Sequence, residues 1–197
     1  MTARIGLWLS LSALGIELSW LVFAHGAVAA ITAAILVGIT LLTVTAGRYA
    51  IVNTAVRVLV GAMFAGSVAD RFGWLGAPGA PGVSWGRYSA FVDYTRTLIP
   101  DPLDWAAPVL GGVATVAEGV LGICLLLGLA ARPAAGLATG LLLTFAAAMW
   151  TSVGFGEMCS YGVLVVAGGA AMLSTCDTEL RLDRVFRSVE AQPRSAR

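Results

Sequence analysis

Charge is scarce in this chain, and lysine is absent altogether. Only 12% of the 197 residues are charged, and all 12 basic residues are arginines. A soluble domain carries about a quarter charged residues. Because 58% of the residues are hydrophobic, lipid must surround much of the surface. This composition excludes a water-soluble globular enzyme, and a net charge of +1 gives no electrostatic case for binding nucleic acid.

The usual metal and redox ligands are also few. The chain has three cysteines and a single histidine, His25. No pair of cysteines has CxxC spacing, and a haem or zinc site needs several such ligands converging on one point. We therefore expect no metal site and no covalently bound cofactor, and we expect Cys124, Cys159 and Cys176 to be free thiols.

What the chain has in abundance is long apolar runs. Six of them come near the ~20 residues that cross a bilayer as a helix. They cover residues 5–24, 27–46, 51–69, 106–130, 134–153 and 158–176. The breaks between them are short, apart from one polar insertion at 70–105, so consecutive helices are expected to be antiparallel. The sequence predicts an all-α, polytopic transmembrane helix bundle whose first partner is the lipid bilayer.

The arginines indicate how the bundle is oriented. If both termini are cytoplasmic, nine of the 12 arginines lie inside and only Arg71, Arg87 and Arg96 lie outside, as the positive-inside rule requires. We predict a multi-pass protein of the cell membrane with both termini cytoplasmic. The first segment has a second interpretation as a cleavable signal peptide. Its length and the presence of Glu17 favour a retained helix.

Ionisable side chains within the apolar runs are candidates for a functional site. Each costs about 3 kcal/mol or more at mid-bilayer, so it needs a partner, a water-filled cavity or a function. Glu118 shares one helix face with Thr115, and Arg57 shares a face with Asn53. At ~1.5 Å per residue, Arg57 lies ~9 Å and Glu118 ~18 Å from the cytoplasmic side. Two arrangements are open, a direct Arg57–Glu118 pair and a pair bridged by water. Two roles are also open, a functional pocket and a purely structural role in fixing helix register.

Four further polar residues stand at the predicted outer rim. Asp70 and Arg71 follow the third segment, and Glu157 and Tyr161 stand near the start of the sixth. Charges at such positions are more often solvated than buried, so we expect rim charges in contact with water. Glu17 shares its stripe only with Ser10 and small residues, and it is compatible with a neutral carboxylic acid.

Three runs of this sequence resemble the DoxX family of small bacterial and archaeal membrane proteins. They are RVLVGAMF at 57–64 with ADRFG at 69–73, WGRYSAF at 85–91, and EGVLGICLLLGLAAR at 118–132. The residues that match the family pattern are Arg57, Gly61, Asp70, Arg71, Glu118, Gly122 and Arg132. The order and spacing of the three runs carry the resemblance.

The resemblance implies a four-helix membrane core. We place it at 51–176, with loop 70–105 inside it, a pair of transmembrane helices at 1–50 before it, and a cytoplasmic arginine-rich tail at 177–197. The family name comes from subunits of a thiosulfate:quinone oxidoreductase. It implies a redox-associated membrane subunit that interacts with the quinone pool or with redox partner proteins, so a bound quinone is compatible with it. The alternative is a small membrane scaffold or transporter without catalytic activity, and the oligomeric state is open.

Overall fold

The computed structural model describes residues 3–176, and within that range it has helices and no strands. The predicted polytopic helix bundle is confirmed. The tail predicted at 177–197 lies outside the described residues. In chain order the helices are α1 (Ala3–Phe23), α2 (Ala30–Val44), α3 (Ala50–Arg71), α4 (Tyr88–Thr97), α5 (Ala107–Leu127), α6 (Ala131–Ser152), α7 (Phe155–Ser160) and α8 (Val163–Leu173), with a 3-10 helix at Asp101–Ala106 before α5.

Four helices are long and apolar enough to cross a membrane. They are α1, α3, α6, and α5 together with the preceding 3-10 helix. The second and sixth predicted spans are shorter than expected, since α2 has 15 residues and α8 has 11. The sixth is interrupted at Gly162, whose left-handed φ of 64° separates α7 from α8. Glycine adopts this conformation without steric cost.

Helix α8 forms the centre of the bundle. It is buried along almost its whole length and contacts α1, α2, α3, α6 and α7. Its sequence is apolar on every side, as expected of a helix surrounded by other helices. Residues from both predicted units, such as Ile39 of α2 and Val60 of α3, belong to one hydrophobic core with Val166 of α8. The first two helices are therefore part of the same core as the later ones.

Two pairs of helices approach each other closely, α3 with α5 and α1 with α8. A Cβ atom at Gly61 of α3 would lie 2.8 Å from the backbone nitrogen of Leu126 in α5. A Cβ at Gly168 of α8 would lie 2.8 Å from the Cα of Ser10 in α1. Small residues at such crossings allow backbones to pack in direct contact, which is how membrane helices gain van der Waals energy.

The long insertion lies at one end of the bundle, here called the loop end. Helices α1, α3 and α6 run toward it, whereas α5 and α8 run away from it. Within the insertion, α4 packs on α5 and contacts α3. Helix α4 begins at Tyr88.

Candidate functional site

A buried ion pair joins α3 and α5 beneath the loop end. The Arg71 guanidinium lies 2.6 Å from a Glu118 carboxylate oxygen, and each side chain is only 3% exposed. Arg71 also donates hydrogen bonds to the hydroxyls of Thr115 at 2.9 Å and Ser67 at 3.1 Å. We refer to Arg71, Glu118, Thr115 and Ser67 as the Arg71 site. A charge-assisted bond of this length in an apolar surrounding is strong.

The direction of helical side chains explains why Arg71 reaches Glu118. A Cα–Cβ bond tilts toward the N-terminus of its own helix. Helix α3 runs toward the loop end, so Arg71 extends back into the bundle. Helix α5 runs away from the loop end, so Glu118 extends toward it. The two side chains therefore converge, although one residue ends its helix and the other lies in mid-helix.

An aromatic cluster covers the guanidinium. The Arg71 Cζ atom lies 3.5 Å from the centroid of the Phe91 ring in α4, a cation–π contact. The Trp85 ring lies 5.4 Å from that of Phe91 and 4.8 Å from that of Tyr94. We call Trp85, Phe91 and Tyr94 the aromatic roof. Phe91 lies directly over the buried cation, and the other two rings extend the cluster from Phe91 at the loop end.

Asp70 holds the chain that leads into this roof. Its carboxylate accepts hydrogen bonds from the backbone N–H groups of Ser84 and Trp85, both at 2.9 Å, and of Gly86 at 3.1 Å. Asp70 is 5% exposed. Backbone N–H groups that converge on a carboxylate satisfy its charge without a basic side chain. Asp70 thus fixes the roof to the end of α3, directly beside Arg71.

Two polar atoms at the site are buried without a hydrogen-bond partner among the described residues. They are Nε of Arg71 and the hydroxyl of Tyr94. Burial, together with the nearby Tyr161 and Glu157, raises the pKa of Tyr94 to about 12, so the phenol is neutral at physiological pH. Buried donors are nearly always paired with protein, water or ligand. The Nε–H of Arg71 and the hydroxyl of Tyr94 are thus polar groups of this cluster that have no protein partner within residues 3–176.

The hypothesis of an Arg57–Glu118 pair is wrong as a direct contact. Arg57 instead donates to the backbone carbonyls of Leu125 and Leu126, at the C-terminal end of α5. Its side chain also points back along α3, away from the loop end and hence away from Glu118. The carbonyls at the end of a helix lack intrahelical partners and favour a cation. A terminal nitrogen of Arg57 thus bonds the end of α5.

The four residues predicted to form one intramembrane site are divided between two places. Glu118 and Thr115 lie together with Arg71 near the loop end. Asn53 donates to the Gly47 carbonyl at 2.7 Å, at the opposite end of α3, where Arg57 also lies. The structure thus brings together only half of the predicted set, and its cation is a different arginine.

The predicted solvated rim is wrong for Asp70 and Arg71, which are both buried. Glu157 and Tyr161 are exposed. The end of the apolar run suggested that Arg71 meets water, but the loop folds back over it. The burial of Arg71 could have been predicted from the direction of its side chain, together with the aromatic residues that follow in the loop.

Neither a metal centre nor a relative adds to this description. The described residues contain no group of three or more His, Cys, Asp or Glu side chains that could hold a metal ion. No family model, curated protein or solved structure matches the chain. The geometry of the Arg71 site is therefore the evidence for its function.

Proposed function

We propose that this integral membrane protein is a redox-associated subunit of the DoxX type that binds a quinone headgroup at the Arg71 site. The membrane assignment follows from its four long apolar helices. In the proposed orientation both termini are cytoplasmic and the loop end faces the outside of the cell membrane. The aromatic roof then lies at the membrane interface, where aromatic side chains are favoured.

The observation that carries this proposal is the unpartnered Nε–H of Arg71 beneath the aromatic roof. A quinone is a flat ring with carbonyl oxygens on its edge, and each oxygen accepts hydrogen bonds. Aromatic side chains stack on such rings, and a guanidinium supplies donors in fixed directions. The Arg71 site offers both features on a protein whose surface is already in contact with lipid, where quinones dissolve.

The redox chemistry of this proposal belongs to the quinone and to a partner protein. Reduction of a quinone to a quinol takes up two electrons and two protons. A reduced partner protein supplies the electrons, and water at the loop end supplies the protons. The role of this chain is to bind and orient the headgroup, with Arg71 donating to a carbonyl oxygen and Glu118 holding Arg71 in place.

A lysine at position 71 tests the proposal. Arg71→Lys keeps a cation beside Glu118 but removes Nε and the flat surface that stacks on Phe91, and such sites do not tolerate this exchange. We expect protein in lipid nanodiscs to bind a short-chain quinone analogue, measured by quenching of tryptophan fluorescence. Binding by Arg71→Lys should be weaker by about tenfold, the equivalent of one or two lost contacts.

Arg96→Lys is the matched control. Arg96 lies on α4 in an exposed pair with Asp93, so this variant should bind the analogue as the unaltered protein does. The proposal fails if the unaltered protein binds no analogue, or if Arg71→Lys binds it as well as Arg96→Lys does.

The second candidate function is that of a small membrane scaffold or transporter without catalytic activity. This function is favoured by the hydrogen bonds of Arg71, whose terminal guanidinium nitrogens already bond Glu118, Thr115 and Ser67. An arginine whose two terminal nitrogens are bonded in this way can serve simply to hold two helices together. In that case Glu118→Gln should lower the yield of folded protein while quinone binding is absent in both proteins.

A further inference from the structure

A second buried carboxyl lies in α1, apart from the Arg71 site. Glu17 is 0% exposed. Neither of its carboxyl oxygens has a hydrogen-bond partner within residues 3–176. The thiol of Cys159 in α7 interacts with it, but this contact does not meet hydrogen-bond geometry, and a thiol is a weak donor. The carboxyl is thus enclosed without the partners that a buried polar group normally has.

The helices packed around Glu17 offer no positive charge. Helix α1 contacts α2, α7 and α8 and lines a small cavity with α6, whose basic residue, Arg132, bonds the Ser174 carbonyl at the opposite end of the bundle. The sequences of α2 and α8 contain no titratable side chain. Helix α7 contributes Cys159, and its own acidic residue, Glu157, is exposed. The basic residue of α1, Arg4, is 13 positions away along the helix, about 20 Å at ~1.5 Å per residue.

The nearest polar side chain on the same face of α1 already has a hydrogen-bond partner. Ser10, two turns further from the loop end on the same face of α1, shares a hydrogen bond of 2.7 Å with Thr43 of α2. A sodium or calcium ion needs several oxygen ligands, and within residues 3–176 Glu17 belongs to no group of three or more His, Cys, Asp or Glu side chains that could hold a metal ion. An unpaired carboxylate in an apolar interior is too costly to persist. A proton is the one cation that a single carboxyl can bind alone.

We propose that Glu17 is a proton-binding site, in which the carboxyl carries a proton that exchanges with water at the loop end. Helix α1 ends there at Phe23, six residues on, which is ~9 Å at ~1.5 Å per residue. A groove lined by Ser19, Trp20 and Phe155 opens beside this stretch. The site is separate from the Arg71 site and does not depend on quinone binding.

Infrared spectroscopy of the whole protein in nanodiscs tests the proposal directly. A neutral carboxylic acid has a C=O stretching band that a carboxylate and an amide lack. We expect this band at neutral pH, and we expect it to shift when the sample is exchanged into D2O. Glu17→Gln should abolish it, whereas Glu157→Gln, an exposed carboxyl in the adjacent α7, should leave it unchanged.

A hydrophobic carbodiimide provides an independent measurement. The protonated carboxyl adds across a C=N bond of the reagent, and the O-acylisourea then rearranges to a stable N-acylurea with no leaving group. Mass spectrometry of peptides should find the adduct on Glu17 in the unaltered protein. Cys159→Ala should still form it, because the carboxyl and not the thiol is the reacting group.

Three outcomes would overturn the proposal. The first is a carboxylic-acid band that survives in Glu17→Gln but is lost in Glu118→Gln. The second is a band that does not shift in D2O, since the proton would then not exchange. The third is a protein that folds normally but shows neither the band nor an adduct at Glu17.

Discussion

The α3–α5 and α1–α8 pairs are built alike and differ in one respect. Each brings two backbones together at glycines, and each buries one carboxyl. In the first pair, Glu118 meets the guanidinium of Arg71. In the second, Glu17 meets only the thiol of Cys159. The same kind of packing therefore encloses a carboxylate paired with an arginine between α3 and α5, and a carboxyl without a charged partner between α1 and α8.

This difference shows that helix packing does not determine how a buried acid is satisfied. In the α3–α5 pair, removal of either partner leaves an isolated charge, so the two residues depend on each other. In the α1–α8 pair, no neighbouring charge depends on Glu17. Substitutions at the two carboxyls should consequently affect stability in opposite directions.

The largest effect is expected from Glu118→Ala. This change leaves the Arg71 guanidinium buried without its carboxylate, which costs about 3–5 kcal/mol of unfolding free energy. Denaturation in mixed detergent micelles, followed by loss of helical circular dichroism, measures it. The double variant Arg71→Met/Glu118→Ala should lose less than Glu118→Ala alone, because no charge is stranded. An equal or greater loss in the double variant would contradict this interpretation.

A smaller effect is expected from Gly61→Ala. The added methyl group would lie 2.8 Å from a backbone nitrogen of α5, so the two helices must separate, at a cost of about 1–3 kcal/mol. The matched control is Gly119→Ala on α5, where no atom lies within 4 Å of the added Cβ. The same denaturation assay should show a loss for Gly61→Ala and none for Gly119→Ala; equal effects would mean that close packing of α3 on α5 contributes little.

The smallest effect, with the opposite sign, is expected from Glu17→Met. Methionine fills a similar volume and needs no hydrogen bond, so it removes the cost of an unsatisfied buried polar group. We expect the unfolding free energy to rise by about 1 kcal/mol, at the lower end of that cost. Destabilisation by Glu17→Met comparable to that by Glu118→Ala would show that Glu17 has a partner as strong as Arg71.

Apolar run length was enough to predict the bundle. It located the long helices correctly because a lipid-exposed helix must be continuously apolar. It could not show that α8 would be short and central, since a buried helix and a spanning helix have the same composition. The division at Gly162 depends on backbone conformation, which hydropathy does not report.

The candidate site was predictable only in part. Glu118 was identified because an ionisable residue stands out in an apolar run. Distance along the helix axis left a direct and a water-bridged pair with Arg57 open, whereas side-chain direction favours Arg71. Cys159 lies 142 positions from Glu17 in the sequence, so their proximity follows only from the antiparallel arrangement of α1 with the later helices.

The way in which Asp70 holds the loop has a consequence for how this protein can vary. Its three bonds are to main-chain amides, so the anchor does not require any particular side chain at positions 84 and 85. Position 86 is different, because Gly86 has φ of 63° and a Cβ there would clash with the nitrogen of Pro78. Related chains, or loops exchanged by an engineer, could therefore present other rings above Arg71 while retaining the same aspartate and the same glycine.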